Sequence, residues 1–286
     1  MRFMSFELDG KHGLAVQHGD HWHGATVGSA HYRGTLESLI SFGGTALADA
    51  ARELSTAPRI DLAKVKVLPP VSNPEKIVCI GLNYVDHSAE SGFKQPEFPT
   101  VFNRFNSSLI GDGAAIIKPP QSEQLDYEGE LVAIIGKTAR HVSEADALGY
   151  VVGYSIFNDA SIRDYQFKAP QWTPGKNFDG TGAFGPCFVT ADELPLGCVG
   201  LTLQTRLNGA VVQKASISDM VFSVAKLVSI LSSFMTLKPG DVIVTGTPSG
   251  VGLARKPPLW MKPGDVVEVE IEKIGVLRNM IEAERV

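Results

Sequence analysis

The stretch DYEGELVAII, residues 126–135, sets Asp126, Glu128 and Glu130 at every second position and then runs into apolar residues. The run LVAII is rich in branched aliphatic residues, which favours a strand. In a strand, residues two apart face the same way; in a helix they would not. The two glutamates therefore share a face at the point where the strand enters the core. Parallel carboxylates repel unless a cation sits between them. Oxygen donors of this kind suit Mg²⁺, Mn²⁺ or Ca²⁺ rather than zinc. The alternative is a solvated strand edge decorated with acids.

Other stretches follow the same pattern. GELVAIIG and YVVGYSIFND read as continuous apolar strands, and LTLQTRLNGAVVQKAS as a hairpin turning at Asn208-Gly209. LKPGDVIVTG and MKPGDVVEVEIEKIG each put Pro-Gly-Asp ahead of a strand. Helical spacing is confined to TLESLISFG, TALADAARELS, a short turn at SEADALGY, and SDMVFSVAKLVSILSSFMT, where Ser218 is the expected N-cap. Many strands, many turns and few helices predict a β-rich α+β chain rather than a doubly wound one. The Pro-rich junction LPPVSNPEK is the expected boundary between a small N-terminal α+β domain, residues 1–70, and a larger domain, residues 71–286.

Composition narrows the function. The chain has 286 residues, 44% hydrophobic and 20% charged, with a net charge of −5. That is a globular balance without the basic footprint that nucleic acid requires. No apolar run approaches a membrane span, and the polar N-terminus is not a signal peptide, so a cytoplasmic location is expected. Cys79, Cys187 and Cys198 have no zinc or redox spacing and read as reduced, buried thiols. An acidic protein that binds an anion needs local cations or a metal.

Four more features could carry chemistry. Asp159 sits where the strand YSIFND breaks off, as a ligand or as the cap of the next turn. In GLNYVDHSAE, Asn83 follows Gly81 at a strand end, and His87 and Glu90 would share a helical face. A carboxylate beside an imidazole raises its basicity and can make it a base for water; the alternative, which an isolated H-x-x-E spacing favours, is a surface His-Glu pair on a loop. Lys176, in QWTPGKNFDGTGAFGP, could neutralise an anionic oxygen or be an ordinary loop lysine. The loop VTGTPSGVG could form a backbone anion nest with Thr247 adding a hydroxyl, or simply be a tight turn. The denser set His18, His21 and His23 straddles a Gly-Asp turn and reads as an exposed hairpin.

In this order, IGLNYVDHSAE, DYEGELVAIIGK, YSIFNDASIRD, QWTPGKNFD, LKPGDVIVTGTPSGVG and PGDVVEVEIEKIGVLRN resemble the fumarylacetoacetate hydrolase family, from about Lys76 to Arg278. The resemblance implies a mixed β-sandwich roll, usually dimeric, with a small appended N-terminal domain. It implies that Glu128, Glu130 and Asp159 hold a divalent metal, with Mg²⁺ expected. His87 and Glu90 stand at the water-activating dyad, and Lys176 at the lysine that contacts substrate oxygens. Thr247 stands in the substrate-carboxylate loop. Asn83, Tyr84, Arg163, Gln166 and Arg104 fall among the implied substrate contacts. Arg104 and Asn106 depart from the Lys and Pro common in relatives, and this departure is expected to touch distal substrate contacts rather than the metal site. The implied reaction is hydrolysis of a C–C bond in a 2,4-dioxo acid such as an acylpyruvate. The alternatives are decarboxylation of an oxaloacetate-type acid, isomerisation of an unsaturated 2-oxo diacid, and metal-dependent ligand binding without catalysis.

Overall fold

The computed structural model describes residues 1–86 and 97–285. Along the chain come β1 (Arg2–Leu8), β2 (Lys11–His18), β3 (His21–Thr26), α1 (Leu36–Phe42) and α2 (Ala46–Leu54). β4 (Lys66–Val67), β5 (Ile77–Gly81), β6 (Thr100–Asn103), β7 (Leu109–Ile110), β8 (Ile116–Lys118), β9 (Leu125–Asp126) and β10 (Gly129–Ile135) follow. Next are β11 (Val151–Asp159), β12 (Ser161–Ile162), α3 (Arg163–Gln166), α4 (Thr173–Lys176) and β13 (Gly182–Thr190). β14 (Thr202–Leu207), β15 (Ala210–Ser216), α5 (Val224–Phe234), β16 (Val242–Val244), β17 (Val266–Ile271) and β18 (Gly275–Ala283) complete the order. The chain is β-rich, as its strand and turn signals predict.

The main sheet runs β3-β2-β1-β13-β11-β10-β16-β5-β6, with β4 on β1 and β7 on β13. A five-stranded sheet, β15-β14-β17-β18-β8, packs against it. Most neighbours are antiparallel, but β16 runs parallel to β5 and β18 to β8. β10 lies inside the main sheet and is buried along its whole length. Its Leu131, Ala133 and Ile135 meet Leu203, Val269 and Ile271 of the second sheet. Its Val132 and Ile134 face the other way, into a core with Leu36, Leu39 and Leu54 of the two N-terminal helices. Burial on both faces is why the sequence here is a continuous apolar run rather than an alternating one.

The Pro-rich junction expected to part residues 1–70 from 71–286 is crossed by both sheet and core. β1 pairs with β13 through Arg2–Val189 and Phe3–Phe188, and Phe3 and Leu14 share a core with Phe157 and Val244. The hairpin signal holds: Asn208 and Gly209 take positive φ of 51° and 80°, the left-handed pair that a two-residue turn between twisted strands requires. Helix α5 starts later than expected. Ser223, not Ser218, is its N-cap, accepting from the Lys226 amide. The chain before it is held extended, with Met220 bridged to Tyr84 and the Val221 amide bonded to Asn83 O, so a helix cannot begin there. Ser218 lies instead in a short 3₁₀ turn capped by Ser216. At SEADALGY, Ser143 Oγ and Asp146 do bond each other, but the helix shrinks to a 3₁₀ turn at Ala147–Tyr150. No helix of the described residues is long and apolar enough to cross a membrane.

Ile134 ties the main sheet to the N-terminal helices without facing the acidic residues. Ile134→Ala should therefore cost about 2–5 kcal/mol of unfolding free energy, read by urea denaturation. A loss under about 1 kcal/mol would contradict a core shared across the junction.

Candidate active site

Strand pairing brings the acids together. Gly129 is the partner of Asn158 across β10 and β11, and just beyond them the Asp159 amide donates to Glu128 O at 2.9 Å. The Asn158 side chain accepts from the Glu128 amide at 3.0 Å. Glu128, Glu130 and Asp159 each offer an oxygen within 4.8 Å of the others, and all three are buried. Glu128 lies in the break between β9 and β10, so the three alternating acids do not ride one unbroken strand.

Buried like charges at this range demand counter-ions. Lys176 Nζ lies 2.7 Å from Glu128 Oε2 and 2.6 Å from Asp159 Oδ2. Arg163 Nη2 lies 2.6 Å from Glu128 Oε1, as an off-line ion pair. Arg104 grips the other oxygen of Asp159 through Nε and donates through Nη2 to Ala160 O at 2.6 Å. Glu130 has no cationic side chain against it among the described residues; it accepts the Gly246 amide. Burial first, then the carboxylates of Asp159 and Glu128, push the Glu130 carboxyl well above its ordinary range. Burial works against the Lys176 ammonium, but Asp159 and Glu128 outweigh it and hold its pKa above the usual lysine value. Lys176 is therefore a cation at neutral pH.

Local packing aims these groups. Lys176 ends α4, where a Cβ on Gly175 would fall 2.4 Å from the Gln166 backbone nitrogen, so glycine lets α4 close on α3. The ammonium also sits 5.0 Å from the Phe102 ring centroid. Gly246 has φ of 103°, and a Cβ there would meet Asn83 at 2.7 Å; glycine is needed to turn its amide onto Glu130.

The acids open into a cavity of about 260 Å³. Its polar wall holds Glu128, Glu130, Arg163, Gln166, Lys176 and Thr247. Its apolar wall includes Ile80, Leu82, Phe102, Phe167, Trp172 and Leu253. Trp172 packs edge-on to Phe102 at 5.5 Å and occupies space that a side chain on Gly81 would fill.

Three expected substrate contacts are placed elsewhere. Arg104 is fully buried behind Asp159 and also donates toward Ser108 and Thr181. The departure from lysine thus bears on the carboxylate triad, not on a distal contact, because a planar fork can serve Asp159 and its surrounding loops together. The Asn83 amide is spent on the fold, donating to Phe222 O and Thr245 O and accepting from the Phe222 amide. Tyr84 is buried and bridged to Met220, off the cavity wall. Nor is the VTGTPSGVG loop an open nest. The amides of Gly246, Gly252 and Leu253 bond to Glu130 and Asp126, and Thr247 Oγ1 donates to Gly129 O. His87 and Glu90 lie outside the described residues. The aromatic wall escaped the sequence reading because Phe102, Phe167 and Trp172 carry no motif beyond ordinary core residues. The cysteines are free and buried; burial pushes Cys187 up to about 11 and Cys198 to about 12, so they are not nucleophiles.

The donor set fits a divalent cation. It is all oxygen, buried and converging, and each carboxylate oxygen can accept more than once, so the bridging ammonium does not exhaust it. The fold and the site together define a β-rich protein built around a hard-cation carboxylate triad. The fumarylacetoacetate (FAA) hydrolase C-terminal family matches residues 76–282, and the chain belongs to that family. It is 41% identical to a mitochondrial oxaloacetate tautomerase of Rattus norvegicus, over 86% of this chain and 79% of that one. Its fold superposes on a fumarylacetoacetate hydrolase from Exiguobacterium antarcticum with a TM-score of 0.87, at 36% identity, over 99% and 100% of the two chains. It also superposes, with a TM-score of 0.80 and 29% identity over the full length of both, on a maleylpyruvate hydrolase from Sphingobium sp. SYK-6 in complex with manganese(II) and pyruvate.

Because the Glu130 carboxyl binds a proton more tightly than an ordinary glutamate, cation uptake must displace that proton. Mn²⁺ affinity should rise with pH and weaken on acidification, with protons released on binding. Calorimetric titration in two buffers of different ionisation enthalpy reads the release; its absence would remove Glu130 from the ligand set.

Proposed function

We propose that this chain enolises a small 2-oxo acid, interconverting the keto and enol forms of an oxaloacetate-type substrate or decarboxylating it. The supporting observation is a cationic Lys176 at the edge of the buried carboxylate triad. The relatives named oxaloacetate tautomerases favour this reading over C–C hydrolysis, which stays as the second reading on the strength of the maleylpyruvate hydrolase fold.

A divalent cation, Mg²⁺ with Mn²⁺ or Ca²⁺ as alternatives, would be held by Glu128, Glu130 and Asp159 and would polarise the 2-oxo group as a Lewis acid. The chain's own residues do the rest. Lys176 donates from Nζ to the oxygen on which negative charge develops, and it stays charged because two carboxylates hold it so. Arg163 and Gln166 orient the acid end of the substrate from the polar wall, and Thr247, whose hydroxyl donates to Gly129 O, holds that wall in place. Phe102 and Trp172 exclude water and so strengthen each of these interactions. In tautomerisation, a proton leaves C3 and another reaches the 2-oxo oxygen, with His87, oriented by Glu90, as the proposed base. In decarboxylation, the electrons of the C3–C4 bond form the pyruvate enolate as CO₂ leaves, so no base is required, and C3 is protonated afterwards. In hydrolysis, His87 would instead deprotonate water. The working unit is proposed to be a homodimer.

A single panel separates these readings. Enol absorbance decay and pyruvate release are followed with oxaloacetate and several acylpyruvates, with and without chelator. Lys176→Met should lower every activity by about a hundredfold or more, as removal of an oxyanion donor does. Glu90→Gln should spare decarboxylation and impair hydrolysis. Wild-type silence on every substrate would favour a ligand-binding protein instead.

A further inference from the structure

Asp126 shares the spacing of the two glutamates but is not in the carboxylate triad, and its surroundings give it a separate task. The side chain is fully buried and each of its oxygens accepts twice. Oδ1 takes the Tyr127 amide at 2.8 Å and the Gly252 amide at 2.7 Å. Oδ2 takes Arg163 Nε at 2.8 Å and the Leu253 amide at 2.9 Å. These partners come from two distant parts of the chain that both wall the cavity: Arg163 and Gln166 from α3, and Thr247, Val251 and Leu253 from the loop after β16. The loop can come this close only because residue 252 is glycine. A Cβ there would lie 2.6 Å from Asp126 Oδ1 and 1.9 Å from Leu259 O.

We propose that Asp126 is the positioning residue for the acid end of the substrate. It acts through Arg163 and through the Val251–Leu253 wall, and this inference rests on the 2-oxo acid reading above. With Nε taken by Asp126, the guanidinium plane is fixed. Nη1 then reaches Gln166 Oε1 at 2.8 Å and Nη2 lies beside Glu128, and a five-donor fork still has N–H groups left over. A fork held in one plane recognises a carboxylate with both arms and loses little freedom on binding. The same carboxylate pins the loop whose Thr247 and Leu253 complete the wall. One buried anion thereby sets the separation of two surfaces that a small acid must bridge.

Asparagine has the size of aspartate but the wrong donors. In either amide orientation its NH₂ group faces two N–H donors, at Tyr127 and Gly252 or at Arg163 and Leu253. The test is pyruvate binding to the full-length chain at saturating Mn²⁺, read by isothermal titration, for wild type, Asp126→Asn, Arg163→Lys and the double variant. Asp126→Asn should weaken pyruvate binding by about tenfold to a hundredfold, the scale of a lost hydrogen bond to a charged group. Because it acts partly through Arg163, the double variant should lose much less than the product of the two single losses. Far-UV circular dichroism and a separate Mn²⁺ titration show that each variant is folded and loaded. Asp126→Glu, which keeps the charge but displaces it by one methylene, serves if the asparagine variant does not fold. Wild-type-like pyruvate affinity in a folded, Mn²⁺-loaded Asp126→Asn overturns the inference alone, as do losses that simply multiply. Failure of the wild type to bind pyruvate overturns the functional reading and this inference with it.

Discussion

Four carboxylates and three cations are buried side by side, and the structure is organised around their near-balance. Asp126, Glu128, Glu130 and Asp159 are buried together with Arg104, Arg163 and Lys176. Charges out of water are costly unless paired and hydrogen-bonded, and breaking one such pair costs more than the pair contributes. Each member is accordingly tied to a rigid element. β9 ends on Asp126, β10 carries Glu130, β11 ends on Asp159, and Glu128 sits in the short break between β9 and β10; α4 carries Lys176, and α3 carries Arg163. Arg104 reaches in from just after the edge strand β6. The apolar core on both faces of β10 is what lets that strand hold acids at its buried end without melting.

How much of this was legible in the sequence depended on range. Local signals served well: alternating glutamates ahead of an apolar run, Asn-Gly in a hairpin, and a strand ending in Asn-Asp. What escaped was long-range partnership. Asp126 has the spacing of a third ligand, yet β9 ends at Asp126 and β10 begins at Gly129, so parity does not carry across the break. Arg104 sat in a stretch whose only cue was a departure from relatives, and nothing local says that a guanidinium fifty-five residues away in sequence will grip Asp159. Asn83 stood beside the expected His87 and Glu90 dyad in sequence but is consumed by Phe222 and Thr245, two strangers in sequence. Ser218 failed as a cap for the same reason. The Tyr84 and Asn83 contacts hold its neighbours extended, and tertiary structure outweighs a local capping preference.

The charge balance also bears on how a chain with a net charge of −5 could accept the proposed acid substrate. Among the described residues the buried cluster is one negative charge in excess, and the raised Glu130 carboxyl marks where a proton removes it. A divalent cation that displaced that proton would leave the cluster one positive. A single substrate carboxylate would then restore neutrality, so on the proposed reading cation and acid would bind more readily together than either alone. A dicarboxylate carries a second charge that these residues do not match. For such a substrate, decarboxylation has an electrostatic logic of its own. Loss of CO₂ would leave the enolate of a monoacid, with its new negative charge delocalised onto the oxygen proposed to meet Lys176, while the unmatched carboxylate would depart as a neutral gas. Keto–enol exchange needs no such departure; it would need a base for the C3 proton and the same stabilised oxygen.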